Sequence, residues 1–337
     1  MNKASLLGRL WGIAKQLHPG DNLGARYTRI KFCVRGLVFS GETAAWFKFL
    51  EQPALQVVAH GRPKLFQKLQ RPYLTRWLRT EQRREMLEHH YRFVLRQLSA
   101  GLLRDIYSPA GIELAKLPAE GAERHELRLK PSWMDKEGEL ALALCSRESG
   151  NILFSLTFSV IRDAAGKYEM VIGGLQGSKG GNDRELIVAL TRQWHGLRPK
   201  ALLLFAVQQL ATGWGVGRIR AVGDGTHIYR HWHKRRKLAS SYDTWWREAG
   251  GQLAGDGLFD LPAQFEPRPI ATLKANKRQM YRRRYAMLAD LGEQMATSLD
   301  LPPQHLLYRG EPTVVEWETS QEMPTLVCAP ATAARMA

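Results

Sequence analysis

The sequence predicts an α/β protein with a mixed, largely antiparallel sheet and flanking helices, preceded by a helical amino-terminal region. Three observations carry this expectation. Between Gly41 and Leu103 apolar residues recur at three- and four-residue spacing, the period of a helix face. From Leu127 onward the period changes to two, as expected of strands. Between Leu140 and Val222 come three strand-like runs, a glycine-rich segment, two helical runs and a further strand, in that order.

The first 25 residues place Leu6, Leu7, Leu10, Trp11, Ile13, Ala14 and Leu17 at helical spacing with Lys and Arg between them. This pattern reads first as a helix packing on the rest of the protein, with an anionic membrane surface as the alternative. Three helical runs follow: Trp46, Phe47, Phe49 and Leu50; then Leu74, Trp77 and Leu78; then Met86, Leu87, Tyr91, Val94, Leu95 and Leu98. Pro53, Pro63 and Pro72 punctuate them. Residues 1–118 therefore read as a helical basic region, 119–300 as an α/β domain and 301–337, rich in Pro, Thr and Ala, as a loosely attached tail.

In the α/β portion, Leu127–Lys130 alternates and Leu140–Cys145 is a compact strand. Ile152–Ile161 sets Phe154, Leu156, Phe158 and Val160 against Ser155, Thr157 and Ser159, the pattern of a half-buried strand. Ser149-Gly150-Asn151 and Asp163–Gly166 supply the turns of an antiparallel meander ending in Tyr168–Ile172. Asn182 or Asp183 caps a helix ended by Gly196, and Pro199 opens a second helix, Lys200–Thr212, apolar on most faces and hence buried. Strands at Arg218–Val222 and Leu258–Leu261, a helix at Tyr242–Ala249 and a basic helix at Thr272–Leu291 complete the reading.

Charge narrows the partners. The formal net charge is +17, and Arg26–Arg104 alone holds 16 Lys and Arg against five Asp and Glu. Such a surface attracts polyanions: nucleic acid, anionic lipid or phosphorylated carriers. Cys33, Cys145 and Cys328 are too few and too far apart for a disulfide framework or a paired-cysteine metal knuckle, which fits a reducing compartment. Lys3, Arg9 and Lys15 interrupt the first apolar run, unlike a secretory signal, and no apolar stretch is long enough to span a bilayer. The expected location is the cytoplasm, peripheral at the inner membrane if any membrane is touched. His227, His231 and His233 lack a nearby Cys or carboxylate set, so no metal site is assigned. No nucleophile elbow or Walker loop is present.

The segment Ile172–Asn182 is the candidate anion site, because a glycine-rich turn before a helix leaves backbone N–H groups free to hold a phosphate. Gln176, Gly177, Ser178, Lys179, Gly180 and Gly181 are the expected contacts, with Arg198 and Lys200 assisting. A second anion-binding set is Lys277, Arg278, Arg282, Arg283 and Arg284, since cations on most faces of one helix are poorly explained by packing.

Four segments together resemble the bacterial VirK/YbjX family: Ile172–Gly177; His195–Lys200; Tyr242-Asp243 with Trp246 and Gly250-Gly251; and Lys277-Arg278 with Tyr281–Arg284. The likeness covers about residues 30 to 295 and implies a Gram-negative protein linked to virulence, envelope remodelling and tolerance of antimicrobial peptides. The order of strands and helices also resembles the acetyltransferase-type acyl-CoA N-acyltransferases, in which turn amides at a helix amino end bind the pyrophosphate of the donor. Against that family's (Q/R)-x-x-G-x-(G/A) pattern, counting from Gln176 puts Lys179 at the first glycine and Gly181 at the second. That fold's tyrosine acid, four residues before a glycine, corresponds here to Trp246, so Tyr242 one turn earlier is the substitute. Asp183, Glu185 and Asp224 are candidate bases, and the sequence does not choose among them. The resemblance implies an acyltransferase-like protein that requires no cofactor beyond a thioester donor, acyl-CoA or acyl carrier protein, and acts on an anionic lipid or envelope precursor. The alternative is a non-enzymatic basic protein binding nucleic acid or anionic membrane and regulating envelope or virulence genes.

Overall fold

The computed structural model describes residues 2–59, 62–118, 123–177, 183–231 and 241–301. The chain begins with helices α1 (Lys3–Leu17), α2 (Leu23–Val38), α3 (Ser40–Leu50) and α4 (Pro53–Ala59), a 3-10 segment (Pro63–Gln70), α5 (Thr80–Gln97) and α6 (Ala100–Ile106). Asn2 and Asn22 start the first two: each side-chain oxygen accepts a backbone N–H three residues on, at 2.8 Å. Part of the stripe expected on α1 is used internally, with Leu6, Leu10, Ile13 and Ala14 buried, while Leu7 and Trp11 of the same pattern stay exposed. Leu74, Trp77 and Leu78 form no helix. Leu74 has φ 51°, its N–H bonds to the Lys136 carbonyl at 2.8 Å, and Thr75 bridges to His227, so tertiary pairing overrides the local spacing there.

Eight strands follow in one sheet: β1 (Ile112–Leu117), β2 (His125–Pro131), β3 (Leu140–Ser146), β4 (Ile152–Arg162), β5 (Tyr168–Gly177), β6 (Ile219–Val222), β7 (Gln252–Leu253) and β8 (Leu258–Leu261), in the order β1-β2-β3-β4-β5-β6-β8-β7. The expected mixed, largely antiparallel sheet is present, and its parallel pair is β5 with β6. Helices α7 (Asp183–Gln193) and α8 (Pro199–Gly213) make that crossover, as a parallel pair requires. Helix α9 (Tyr242–Glu248) and the β7–β8 hairpin follow, and α10 (Ala275–Ser298) packs on β1 and α8. β1 lies in the stretch expected to be helical; its alternation is masked because Ile112, Leu114, Ala115 and Leu117 are all apolar.

Strand β4 is buried on both faces, not one. Ser155, Thr157 and Ser159 are inside because α5 packs over β4 as α8 also does. Their hydroxyls are accommodated rather than wetted: the Ser159 Oγ lies 2.7 Å from the Tyr73 hydroxyl and accepts the Glu139 N–H at 3.1 Å. A single apolar core runs from Leu6 to Leu299, shared by the amino-terminal helices and the sheet.

The glycine-rich segment departs most from expectation. Ile172–Gly177 continues β5 against β4, with a bulge opposite Thr157 and Phe158. The bulge turns Gly173 and Gly174 toward Glu137, where a Cβ on either would overlap Glu137 atoms. These glycines permit a close approach of chain to strand, and no turn is formed there. Ser178, Lys179, Gly180, Gly181 and Asn182 lie outside the described residues.

Candidate functional site

β6 pairs with β5 only over Met170–Ile172, so β5 runs on without a strand neighbour on that side. Tyr242 fills the gap: its hydroxyl accepts the Leu175 N–H at 3.1 Å and donates to the Leu175 carbonyl at 3.2 Å. Burial, chiefly, raises its pKa well above the tyrosine range. Trp246, one turn on, donates to the Val222 carbonyl at the end of β6 at 2.9 Å, and the two rings stack. Asp224 accepts the Tyr242 N–H at 2.9 Å and the Ser241 hydroxyl, so its carboxylate anchors the start of α9. Tyr242 and Asp224 thus hold the splayed strands in place.

Beyond the carboxyl end of β5 lies a cleft of about 1250 Å³. Its floor includes Phe154, the register partner of Gly177. Its walls come from one face of α7, the start of α8, α9 and the start of α10. Five cations line it, Arg184, Arg192, Arg198, Lys200 and Arg283, and Glu248 is the carboxylate among the described lining residues. Between the charges lie Ile187, Val188, Trp245 and Met280. Burial pushes the Lys200 ammonium below its ordinary value, and the nearby Glu248 carboxylate opposes the fall. The cleft also receives the amino end of α8, where helix N–H groups lack intrahelical acceptors and the dipole favours an anion.

The elbow between α7 and α8 sets this geometry. His195 and Gly196 both take left-handed conformations, with φ of 51° and 79°. The Gly196 N–H bonds to the Thr191 carbonyl at 2.7 Å, and Pro199 starts α8 without needing an acceptor. Arg284 clamps the elbow from α10: its Nε and Nη2 donate to the His195 carbonyl at 3.0 and 2.8 Å, while its guanidinium lies 4.2 Å over the Tyr281 ring.

Among the described residues, the structure gathers Arg198, Lys200 and Arg283 at the cleft, while Gln176, Gly177, Asp224, Tyr242 and the other cations expected on α10 do not line it. Gln176 donates to both Glu137 carboxylate oxygens at 2.8 and 3.0 Å, and Gly177 is exposed at the end of β5. Glu185 is exposed on α7 and does not line the cleft; Asp183 opens α7, with its side chain outside the described part. Arg278 caps the preceding turn by donating to the Leu273 and Ala271 carbonyls, Arg284 is structural, and Lys277 and Arg282 are on the exposed side of α10. Sequence reasoning missed Arg184, Arg192, Trp245 and Glu248. A signal was present for α7: Arg184, Ile187, Val188, Thr191 and Arg192 fall on one helix face.

A second polar group sits under the splayed strands. Glu137 is fully buried, and His227 Nε2 lies 3.8 Å from its Oε1. Burial lowers the His227 pKa to about 4, so the imidazole is neutral near pH 7, and its ring stacks on Tyr242. Neither residue lines the cleft. Among the described residues no group of three or more His, Cys, Asp or Glu is arranged to hold a metal ion, and no helix is long and apolar enough to cross a membrane.

Comparison with known proteins places this architecture among relatives. The family described as "Protein of unknown function (DUF535)" matches residues 21–297. The chain is 35% identical over 287 residues to "Uncharacterized protein YbjX" of Escherichia coli (strain K12), covering 84% of this chain and 86% of that protein. An "Uncharacterized protein" of Haemophilus influenzae (strain ATCC 51907 / DSM 11121 / KW20 / Rd) is 28% identical over 165 residues, 49% of this chain and 54% of that one. A further match to that organism is 30% identical over 131 residues, 39% of this chain and 43% of the relative.

Proposed function

We propose a thioester-dependent acyl-transfer function for this chain, which belongs to the DUF535 family and is of the VirK/YbjX type. The observation that carries the reading is the cleft: five cations and an apolar lining at the carboxyl end of β5, beside the place where the parallel pair separates. Crevices at the carboxyl ends of parallel strands are where open α/β sheets bind ligands. Cations with an apolar wall suit a carrier that is anionic at one end and apolar at the other, as acyl-CoA or the phosphopantetheine arm of acyl carrier protein is. The volume accommodates a ligand of that size.

Arg198 and Lys200 at the start of α8, with Arg283 from α10, would hold the phosphates, and Ile187, Val188 and Met280 would lie along the acyl chain. An attacking amine or hydroxyl needs a base within reach, and the lining offers Glu248 and His195. Tyr242 is assigned a positioning role, since its hydroxyl is already held between two backbone groups. In this reading the acceptor is an anionic lipid or envelope precursor met at the cytoplasmic face, and its modification would be the chain's link to envelope remodelling and antimicrobial-peptide tolerance. A shared strand order alone does not make a catalyst, so the donor must be tested directly.

Titration calorimetry of the purified protein with long-chain acyl-CoA is expected to give saturable heat that free CoA gives more weakly. Arg198→Ala with Lys200→Ala should weaken binding at least about tenfold, given about 1.5–3 kcal/mol for each hydrogen bond to a charged group. Absence of heat with every acyl-CoA and acyl carrier protein would overturn the reading. Salt-sensitive retention of nucleic acid without thioester binding would favour instead a basic binding protein using the exposed Lys277 and Arg282 of α10.

A further inference from the structure

We propose that the exposed face of α1 and α2 is a docking surface for an anionic lipid bilayer. Helix α2 is apolar on two opposite sides. Phe32, Cys33 and Gly36 face inward, and Gly36 brings α2 so close to α1 that a Cβ there would overlap the Leu10 side chain. Outward point Leu23 (83% exposed), Tyr27, Ile30 (54%), Val34 (53%) and Val38 (68%). Their spacing of four, three, four and four residues makes one continuous ridge along the helix. Helix α1 adds Leu7 and Trp11 on its own exposed side. Scattered exposed apolar residues need no explanation, but five in register along one helix do.

The charges around the ridge select the occupant. Lys3, Lys15, Arg26, Lys31 and Arg35 are exposed on the same two helices. From Met1 to Phe39 the single carboxylate side chain is Asp21, which lies 3.7 Å from Arg29. A second copy of this face would set cations against cations with Asp21 alone to relieve them, so self-association is disfavoured. A bilayer with anionic headgroups supplies both requirements together: acyl chains for the ridge and phosphates for the flanking cations, whose long stems reach outward from an apolar surface. The ridge spans 16 residues, so a helix lying in the interfacial plane satisfies it without insertion across the membrane. This surface is separate from the cleft, and its test does not depend on acyl transfer.

Flotation of the full-length protein with vesicles tests the proposal. With phosphatidylcholine vesicles containing phosphatidylglycerol as a third of the lipid, the protein is expected to float; with phosphatidylcholine alone it should largely remain at the bottom. Ile30→Ser with Val34→Ser should lower partitioning about tenfold or more, because burial of two branched apolar side chains is lost. Arg26→Gln and Lys31→Gln should each lower it about fivefold on anionic vesicles, the effect of one cation at a charged surface. The thermal midpoint of all these variants should match the parent, since the side chains are exposed. Failure of the parent to float with anionic vesicles overturns the proposal. So does flotation that the Ile30 and Val34 changes leave intact, or a parent dimer that those changes convert to a monomer.

Discussion

Gly173 and Gly174 illustrate how a single atom decides a local structure. At both positions a methyl group would meet Glu137: its main-chain carbonyl at Gly173, and its carboxylate at Gly174. A flexible carboxylate can retreat, whereas a carbonyl in the connection to β3 cannot. Gly173→Ala should therefore destabilise more than Gly174→Ala, within the range of about 1–3 kcal/mol typical of overpacking, measurable as a fall in the urea midpoint. Equal, negligible effects would sink this account of the glycines. The Glu137 contact with Gln176 also explains why a motif that reads as a turn is strand: the glycines answer to a residue some 35 positions earlier. No local pattern contains that information.

At the scale of the element, the α7–α8 elbow is the unit that turns sequence into a site. Its local parts were legible: Gly196 as a terminator, Pro199 as a first-turn residue, and the apolar α8 as a buried helix. What closes the elbow is distant, the Arg284 guanidinium bonded twice to the His195 carbonyl. Arg284→Ala is expected to cost about 1–3 kcal/mol in thermal or urea unfolding and to weaken acyl-CoA binding, although Arg284 does not line the cleft. Arg284→Lys should recover little of either, because an ammonium cannot reproduce the planar two-bond contact. Normal donor affinity in Arg284→Ala would show that the elbow holds without its clamp. The cationic helix α10 thus divides its work: Arg283 faces the cleft, Arg284 the elbow and Arg278 the preceding turn.

Across the whole molecule, the amino-terminal helices are joined to the sheet by buried charge as well as by apolar packing. Lys68 of the 3-10 segment and Glu139 beside β3 form an ion pair with side-chain exposures of 2% and 0%. The Tyr91 hydroxyl of α5 also donates to Glu139. Lys68 and Arg62 hold the Glu139 carboxyl below the usual carboxylate range in spite of burial. His90 lies alongside, its pKa lowered to about 3 by burial; its Nδ1 accepts the Val160 N–H at 3.2 Å, which leaves Nε2–H to donate to Tyr107. Lys68→Met should cost about 3–5 kcal/mol by stranding Glu139, and adding Glu139→Leu should return part of that loss. Urea unfolding of the single and double variants measures the coupling, and strict additivity would show that the pair does not act as a unit.

The sequence by itself determined the class of fold, most element positions and the excess of cations, because periodicity, capping residues and net charge are local or summed properties of the chain. β8 at Leu258–Leu261 and the helix starting at Tyr242 need nothing more. Only the tertiary structure decided which cations converge on one cleft, that Ser155, Thr157 and Ser159 are buried, and that Tyr242 closes a strand edge. Each of these depends on what a remote element places on the far side of a residue. A side chain's spacing along the chain states which face it occupies, and its neighbour across that face is settled only when the elements pack.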